Sequence, residues 1–330
     1  MVAILRPPSV AGVAPAATPT MVIASTETVA GELSFPIETP VPTATVVEPA
    51  VAAAQAAVIL SAVRVTTPTP VPRPPLPAKD DVAAQIAKMT VGQRGRYALC
   101  VLDIASQQTY GFDADTQSDA ASLNKVVILA VIYQQAAMSR IDLDRIVTTT
   151  PEDIQDYGTG SIRYDPVGSS YSVRTLARLM IEQSDNTASY MLAQMVGLST
   201  IQSQVTSWGM RKTLIGEDMT SARDITILFN LIYHNRIAPP KLTAEMIDFL
   251  THTDFRDRIP ALLPTDVRIG HKIGNHVGVL NDGGIVFLAG RPYVIVILNK
   301  DIDEARGLLL EQQISKAVYD FQSSLPAVPS

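Results

Sequence analysis

Ser122 and Lys125 stand three apart in Ala120-Ala121-Ser122-Leu123-Asn124-Lys125, where a polar, acidic stretch passes into the apolar run 126–132. If that run is a helix, the serine lies in its first turn and the lysine one turn later on the same face. A helix N-terminus carries unpaired N–H groups and partial positive charge, which favours an oxyanion forming there. A lysine amine held in dry surroundings loses its proton and becomes a base for a neighbouring hydroxyl. The pair therefore has the parts of a serine nucleophile and its activator. The plain alternative is an N-cap serine and a solvated helix charge. A chain of this length holds about one Ser-x-x-Lys by chance, so the pair needs support from elsewhere.

The elements that must position it read as follows. A helix is predicted over 80–89, then strands over 96–104 and 109–112 joined by Ala105-Ser106-Gln107-Gln108, then the Ser122 helix to about residue 138. The chain is mostly helical to about residue 233. This part holds the two-glycine loop Tyr157-Gly158-Thr159-Gly160, a helix over 172–183, and a capping box, Ser221-Ala222-Arg223-Asp224, opening another helix. Strands return at 267–273, 284–288 and 293–298, separated by Asn281-Asp282-Gly283-Gly284 and Gly290-Arg291-Pro292 turns, and a helix over 302–321 ends the pattern. Early and late strands imply one α/β (α+β) domain over 79–330. Its sheet is five-stranded and assembled from both chain ends, with an all-helical lobe inserted between them.

Residues 1–78 are different material. They hold 14 of the 23 prolines, seven charged residues, and neither tyrosine nor tryptophan, which favours a flexible, polyproline-like linker or stalk. No good secretion signal is found there, and the apolar run 51–63 is too short to span a bilayer. Lys+Arg 26 against Asp+Glu 32, net charge −6, with no basic run, excludes nucleic acid as the expected partner. The single cysteine, Cys100, excludes an intramolecular disulfide and reads as a small buried hydrophobe. His234, His252, His271 and His276 lack zinc-site spacing, so neither a metal nor another cofactor is expected.

Two further motifs support the first. Ser184-Asp185-Asn186 lies between two helical stretches and alone is a run of capping residues. Lys272-Ile273-Gly274, within Ile269-Gly270-His271-Lys272-Ile273-Gly274-Asn275, alone is a charged strand end with a turn glycine. In order, at separations of 62 and 88 residues, the three resemble the Ser-x-x-Lys, Ser-Asp-Asn and Lys-Thr-Gly elements of class A β-lactamases and penicillin-binding proteins. The likeness extends through residues 180–192, Thr220-Ser221-Ala222-Arg223-Asp224, Phe255-Arg256-Asp257-Arg258-Ile259-Pro260 and Gly284-Ile285-Val286.

The resemblance implies roles residue by residue. Ser122 would open a β-lactam amide and become acylated, with Lys125 as the neutral base or the group orienting it. Ser184 would relay a proton to the departing nitrogen. Asn186 would bind the substrate's side-chain amide and steady Lys125, while Lys272 and Gly274 would line the carboxylate end. The backbone N–H groups of Ser122 and Asn275 would form the oxyanion hole, and Asp185 would tie down its loop. An extracytoplasmic monomer acting on a small β-lactam or on peptidoglycan peptides is implied.

Two departures stand out. Ile273 replaces the motif threonine and has no hydroxyl to offer a substrate carboxylate. The Glu-x-x-Leu-Asn loop that activates the deacylating water is not identifiable in the 33 residues between Asn186 and Thr220. Glu217 is the nearest carboxylate there, and a surface-turn role competes with a role as deacylation base. Release slower than acylation is therefore expected. Three readings stay open: a β-lactamase-type hydrolase, a D,D-peptidase or penicillin-binding protein, and a non-catalytic binding or sensor module.

Overall fold

The computed structural model describes residues 79–328, so the expected proline-rich stalk lies outside the described residues. In chain order the elements begin with α1 (Lys79–Met89), β1 (Arg96–Asp103), β2 (Gln108–Phe112) and β3 (Ser118–Asp119). A 3-10 turn (Ala121–Leu123) leads into α2 (Asn124–Ala137). Next come β4 (Ile146–Thr148), β5 (Ser170–Ser172), α3 (Val173–Glu182), α4 (Asn186–Val196), α5 (Leu198–Ser207), β6 (Met219–Thr220), α6 (Ala222–Tyr233) and α7 (Pro240–Thr251). The strands β7 (Ile269–His276), β8 (Val279–Val286) and β9 (Tyr293–Lys300) then precede α8 (Glu304–Ser324).

The sheet is antiparallel in the order β2-β1-β9-β8-β7, so early and late chain segments pair at its centre. Its middle strands are buried on both faces, which is why 97–102 and 293–298 read as nearly continuous apolar runs. One face packs against α1 and α8 through Ile86, Leu310, Ile314 and Val318. Alternate residues, Ala98, Cys100, Val294 and Val296, join the other core with Ile225 and Phe229 of α6. Cys100 is buried there, as its apolar setting requires. Helix α2 is buried around most of its circumference and runs through the inserted lobe, which is helical apart from the short ribbon β4–β5.

The structure departs from the sequence reading in three places. Asn281-Asp282-Gly283-Gly284 is no turn but the middle of β8, paired to β7 on one side and to β9 from Asp282 onward. Its polar residues are partnered in place. Asn281 Nδ2 donates to Asp119 O (2.8 Å), and Asp282 accepts from Ile259 N (3.1 Å) and faces His271 Nδ1 (2.9 Å). Its glycines are there for close packing, since a Cβ on Gly284 would lie 2.4 Å from Gly270 O. The hairpin turn is Val277-Gly278 instead, with Gly278 at φ +73°. Ser221 does cap α6, accepting from Asp224 N at 3.2 Å. The capping box is only half made, because the Asp224 carboxylate turns to Lys212 N and Thr213 Oγ1. Finally, Ser122 sits in the 3-10 turn before α2 rather than inside the helix.

Strand β7 is an edge of the sheet, and its free side meets the Ser122 turn. An added Cβ on Gly274 would stand 2.5 Å from Ala120 O and 3.3 Å from Leu123 N, both backbone atoms. Gly274→Ala must therefore push strand and turn apart. It is expected to lower stability in urea titration by about 1–3 kcal/mol, the range for overpacking. Gly270→Ala, whose Cβ would meet Leu250 at 3.4 Å, is the milder control and should lose much less.

Candidate active site

A cavity of about 840 Å³ opens where the Ser122 turn, the Ser184 segment, β7 and the loops 157–159 and 255–258 meet. Ser122, Lys125, Ser184, Asn186 and Asn275 all line it. Lys272 lies fully buried behind it and reaches Ser184. The structure thus brings together three motifs that are 62 and 88 residues apart in the chain.

The centre of the site is the Ser184 hydroxyl. Lys125 Nζ lies 3.1 Å from Ser184 Oγ, and Lys272 Nζ lies 3.0 Å from the same atom. Lys125 Nζ also donates to Ser184 O (2.5 Å) and Asn186 Oδ1 (2.7 Å). Lys272 Nζ donates to Ile273 O (3.0 Å) and sits 5.8 Å from the Phe255 ring centroid. Both amines are buried, Lys125 at 6% exposure and Lys272 at 0%. Burial brings Lys125 down to about 7, against the pull of the Asp185 and Asp218 carboxylates. Burial likewise drives Lys272 well below the ordinary lysine range, helped by repulsion from Lys125 and Arg258 and opposed by Asp282.

The backbone is strained where the chemistry converges. Ala121 (φ +49°), Ser184 (φ +57°) and Asp218 (φ +54°) all take the left-handed conformation, which costs a non-glycine residue of order 1–3 kcal/mol. The surrounding contacts hold them there. Asn281 Nδ2 reaches Ala120 O at 3.3 Å, and Ala120 N donates to Asp218 O at 2.8 Å. Asp185 caps α4 by accepting from Ala188 N (2.9 Å) and also takes Ile162 N (3.0 Å), which binds the preceding loop down. Thr159 Oγ1 donates to Ser184 O (3.0 Å), and Asn186 Nδ2 donates to Tyr157 O (2.9 Å). The loop glycines fit this closeness. A Cβ on Gly160 would collide with the Asp185 carboxylate, and one on Gly158 with Asn186 Nδ2.

Glu217 is exposed and does not line the cavity, whereas its neighbour Asp218 does. Among the lining residues that carried no role in the sequence reading are Asn124, Thr159, Asp218 and Arg258. Arg258 is buried, with Nη1 donating to Gly274 O (3.2 Å) and Asn281 O (2.9 Å) and Nη2 to Asn275 Oδ1 (2.9 Å). It braces the site end of β7 and brings a guanidinium beside Ile273. An Arg-Asp-Arg run gives no sign of which arginine turns inward, and Asn124 occupies a variable position of its motif. Among the described residues no cluster of His, Cys, Asp and Glu is arranged to hold a metal ion.

A family model described as "Beta-lactamase enzyme family" matches residues 81–322. Beta-lactamase SME-1 of Serratia marcescens is 21% identical over 238 residues, which is 66% of this chain and 80% of that protein. Beta-lactamase L2 of Stenotrophomonas maltophilia is 31% identical over 123 residues, 37% of this chain and only 40% of that protein's length. Among solved structures, PBP-A superimposes with a TM-score of 0.72 at 28% identity, covering 78% of this chain and 100% of PBP-A. A PBP-A variant, solved as an acyl-enzyme complex with penicillin G, gives 0.72 at 27% identity, covering 77% and 100%. An ancestral class A β-lactamase shares the fold at 22% identity, with a TM-score of 0.67 over 72% of this chain and 99% of that one. The family match runs from the first described helix into the last and takes in every residue of the cavity, and the chain belongs to the β-lactamase enzyme family.

Proposed function

We propose that this chain is an active-site-serine hydrolase that opens the β-lactam amide through an acyl-enzyme on Ser122. The observation that carries the reading is the Ser184 hydroxyl held between two buried amines, at 3.1 Å from Lys125 and 3.0 Å from Lys272. A module that only binds has no use for such a proton relay. Neutral Lys125 turns its lone pair from Ser184 to Ser122 and takes the Ser122 proton as Oγ attacks the carbonyl. The proton then passes through Ser184 to the departing nitrogen. The oxyanion is met by the backbone N–H groups of Ser122 and Asn275, worth roughly 3 kcal/mol per donor in other hydrolases. The close approach at Gly274 supports this pairing, because it brings the two backbones together. Lys272 and Arg258 supply positive potential for a substrate carboxylate in place of the hydroxyl that Ile273 lacks. Asn186, whose amide is fixed by Tyr157 O, meets the substrate's side-chain amide.

The likeness to PBP-A favours a second reading, acylation by peptidoglycan stem peptides with the same residues. Either substrate calls for work outside the cytoplasm. Incubation with a chromogenic cephalosporin, followed by intact-mass analysis, separates the readings. Turnover supports the hydrolase, a lasting adduct the penicillin-binding protein, and no reaction the non-catalytic module. Digestion is expected to place a single penicillin adduct on the peptide containing Ser122, and Ser122→Ala to abolish it. An adduct that survives the substitution would refute the assignment.

The lysine makes a separate prediction. Lys125 works as a base only when neutral and titrates at about 7, so acylation is expected to rise with pH through about 7 and to fall away below it. Lys125→Arg keeps the charge but holds its proton at every working pH. Stopped-flow acylation should drop by at least about a hundredfold in that variant. Near-normal acylation there would place the base elsewhere.

A further inference from the structure

We propose that Asp218 and Asn124 together hold and activate the water that hydrolyses the Ser122 ester, doing the work for which the sequence offers no Glu-x-x-Leu-Asn loop. The inference rests on the acyl-enzyme reading above and concerns its second half.

Position is the first argument. The short ribbon β3–β6, with Asp119 opposite Met219, delivers Asp218 to the start of the Ser122 turn. Asp218 O takes the Ala120 N–H, and both Asp218 and Asn124 line the cavity beside Ser122. The aspartate keeps a left-handed backbone (φ +54°) to do so, while Glu217 points out of the cavity.

The second argument is the pairing. Asn124 Nδ2 donates to Asp218 Oδ1 at 2.6 Å. Charge fixes this amide orientation, since the flipped form would set a carbonyl oxygen against a carboxylate. The opposite end, Asn124 Oδ1, is buried and accepts no hydrogen bond from the described residues. A buried acceptor left without a donor is costly. A water molecule donating to Asn124 Oδ1 and to the Asp218 carboxylate would satisfy it, in the cavity that Ser122 also lines. Carboxylate plus carboxamide is a base and a positioning group for water.

Charge is the third. Asp218 is exposed at its outer side, but partial desolvation raises its carboxyl above the usual carboxylate range, assisted by Asp119 and opposed by hydrogen bonds from Asn124 and the Ala121 N–H and by His276. Lys125 faces it from α2. A carboxylate raised in this way is a better base than a free one. In the reaction, water oxygen bonds to the acyl carbon while its proton passes to Asp218. The tetrahedral intermediate then breaks the bond to Ser122 Oγ, which recovers that proton, leaving a carboxylic acid and the free hydroxyl.

A capping role for Asp218 at the Ser122 turn is the competing account, and Asp218→Asn tests it, because asparagine still accepts hydrogen bonds but cannot take a proton. Burst kinetics with a chromogenic cephalosporin and the lifetime of the adduct mass are measured on the full chain. The wild type is expected to show a burst near one equivalent and then a slower steady state that fades on acidification. In Asp218→Asn the adduct should still form, release should slow by at least about a hundredfold, and that acid limb should vanish. If Asp218→Asn does not fold, Asn124→Ala serves, with release expected to slow by at least about tenfold. Release within about threefold of wild type in a folded variant overturns the proposal, as does a wild-type adduct that never hydrolyses. If no adduct forms on the wild type, the acyl-enzyme reading itself fails and takes this one with it.

Discussion

Two buried amines around one hydroxyl set the terms for the whole site. Contacts of 3.1 and 3.0 Å to Ser184 Oγ keep Lys125 Nζ and Lys272 Nζ within about 6 Å of each other. Two full charges at that distance repel by roughly 3 kcal/mol at an effective dielectric constant of about 20, equal to about two pKa units. Desolvation acts in the same direction on both. A hydroxyl has one proton to donate and two lone pairs to accept with. The arrangement that satisfies all three groups has one ammonium donating to Ser184 and Ser184 donating to a neutral amine. Such a chain is what the proposed proton relay requires.

Keeping charges out of water is costly, so the scaffold must hold the surroundings rigid. The bracing is spread over distant parts of the chain. Asn281 from β8 grips the carbonyls of Asp119 and Ala120, Arg258 ties β7 to β8, and Asp185 clamps the 157–162 loop onto α4. The left-handed residues Ala121, Ser184 and Asp218 all sit inside this network. Strain of this kind persists only where the surroundings over-determine it. The sheet assembled from both chain ends and the inserted lobe meet here, so the site depends on their packing and not on one local element.

What could be read in the sequence follows from how local each signal is. Helical and strand periodicities gave the order of elements, because burial on one or two faces leaves a pattern along the chain. The three motifs marked the residues around Ser184, since each is short and contiguous. Asn281-Asp282-Gly283-Gly284 misled because turn chemistry and close packing call for the same residue types. Only the register of β8 between its neighbours tells the two apart. Arg258 and Asp218 were hidden for a related reason. A charged residue in a polar stretch reads as solvated until a distant strand or turn is brought against it.

On the proposed reading, acylation and release make opposite electrostatic demands on this cleft. The first needs a neutral amine, and the second, as proposed, an ionised carboxylate. A carboxylate close to Lys125 stabilises the ammonium and so works against the first step. Asp185 is the stronger such influence, but its carboxylate is occupied by the Ile162 and Ala188 N–H groups, which spread its charge. Asp218 is exposed at the rim of the cavity, and its pull on Lys125 is the weaker of the two. The same edge gives water a way in. Burial lowers the amine to about 7, while partial desolvation raises the carboxylate. Moving Asp218 deeper would make it a stronger base but would also restore the proton to Lys125. The rim is the position at which one carboxylate can serve the second step without blocking the first.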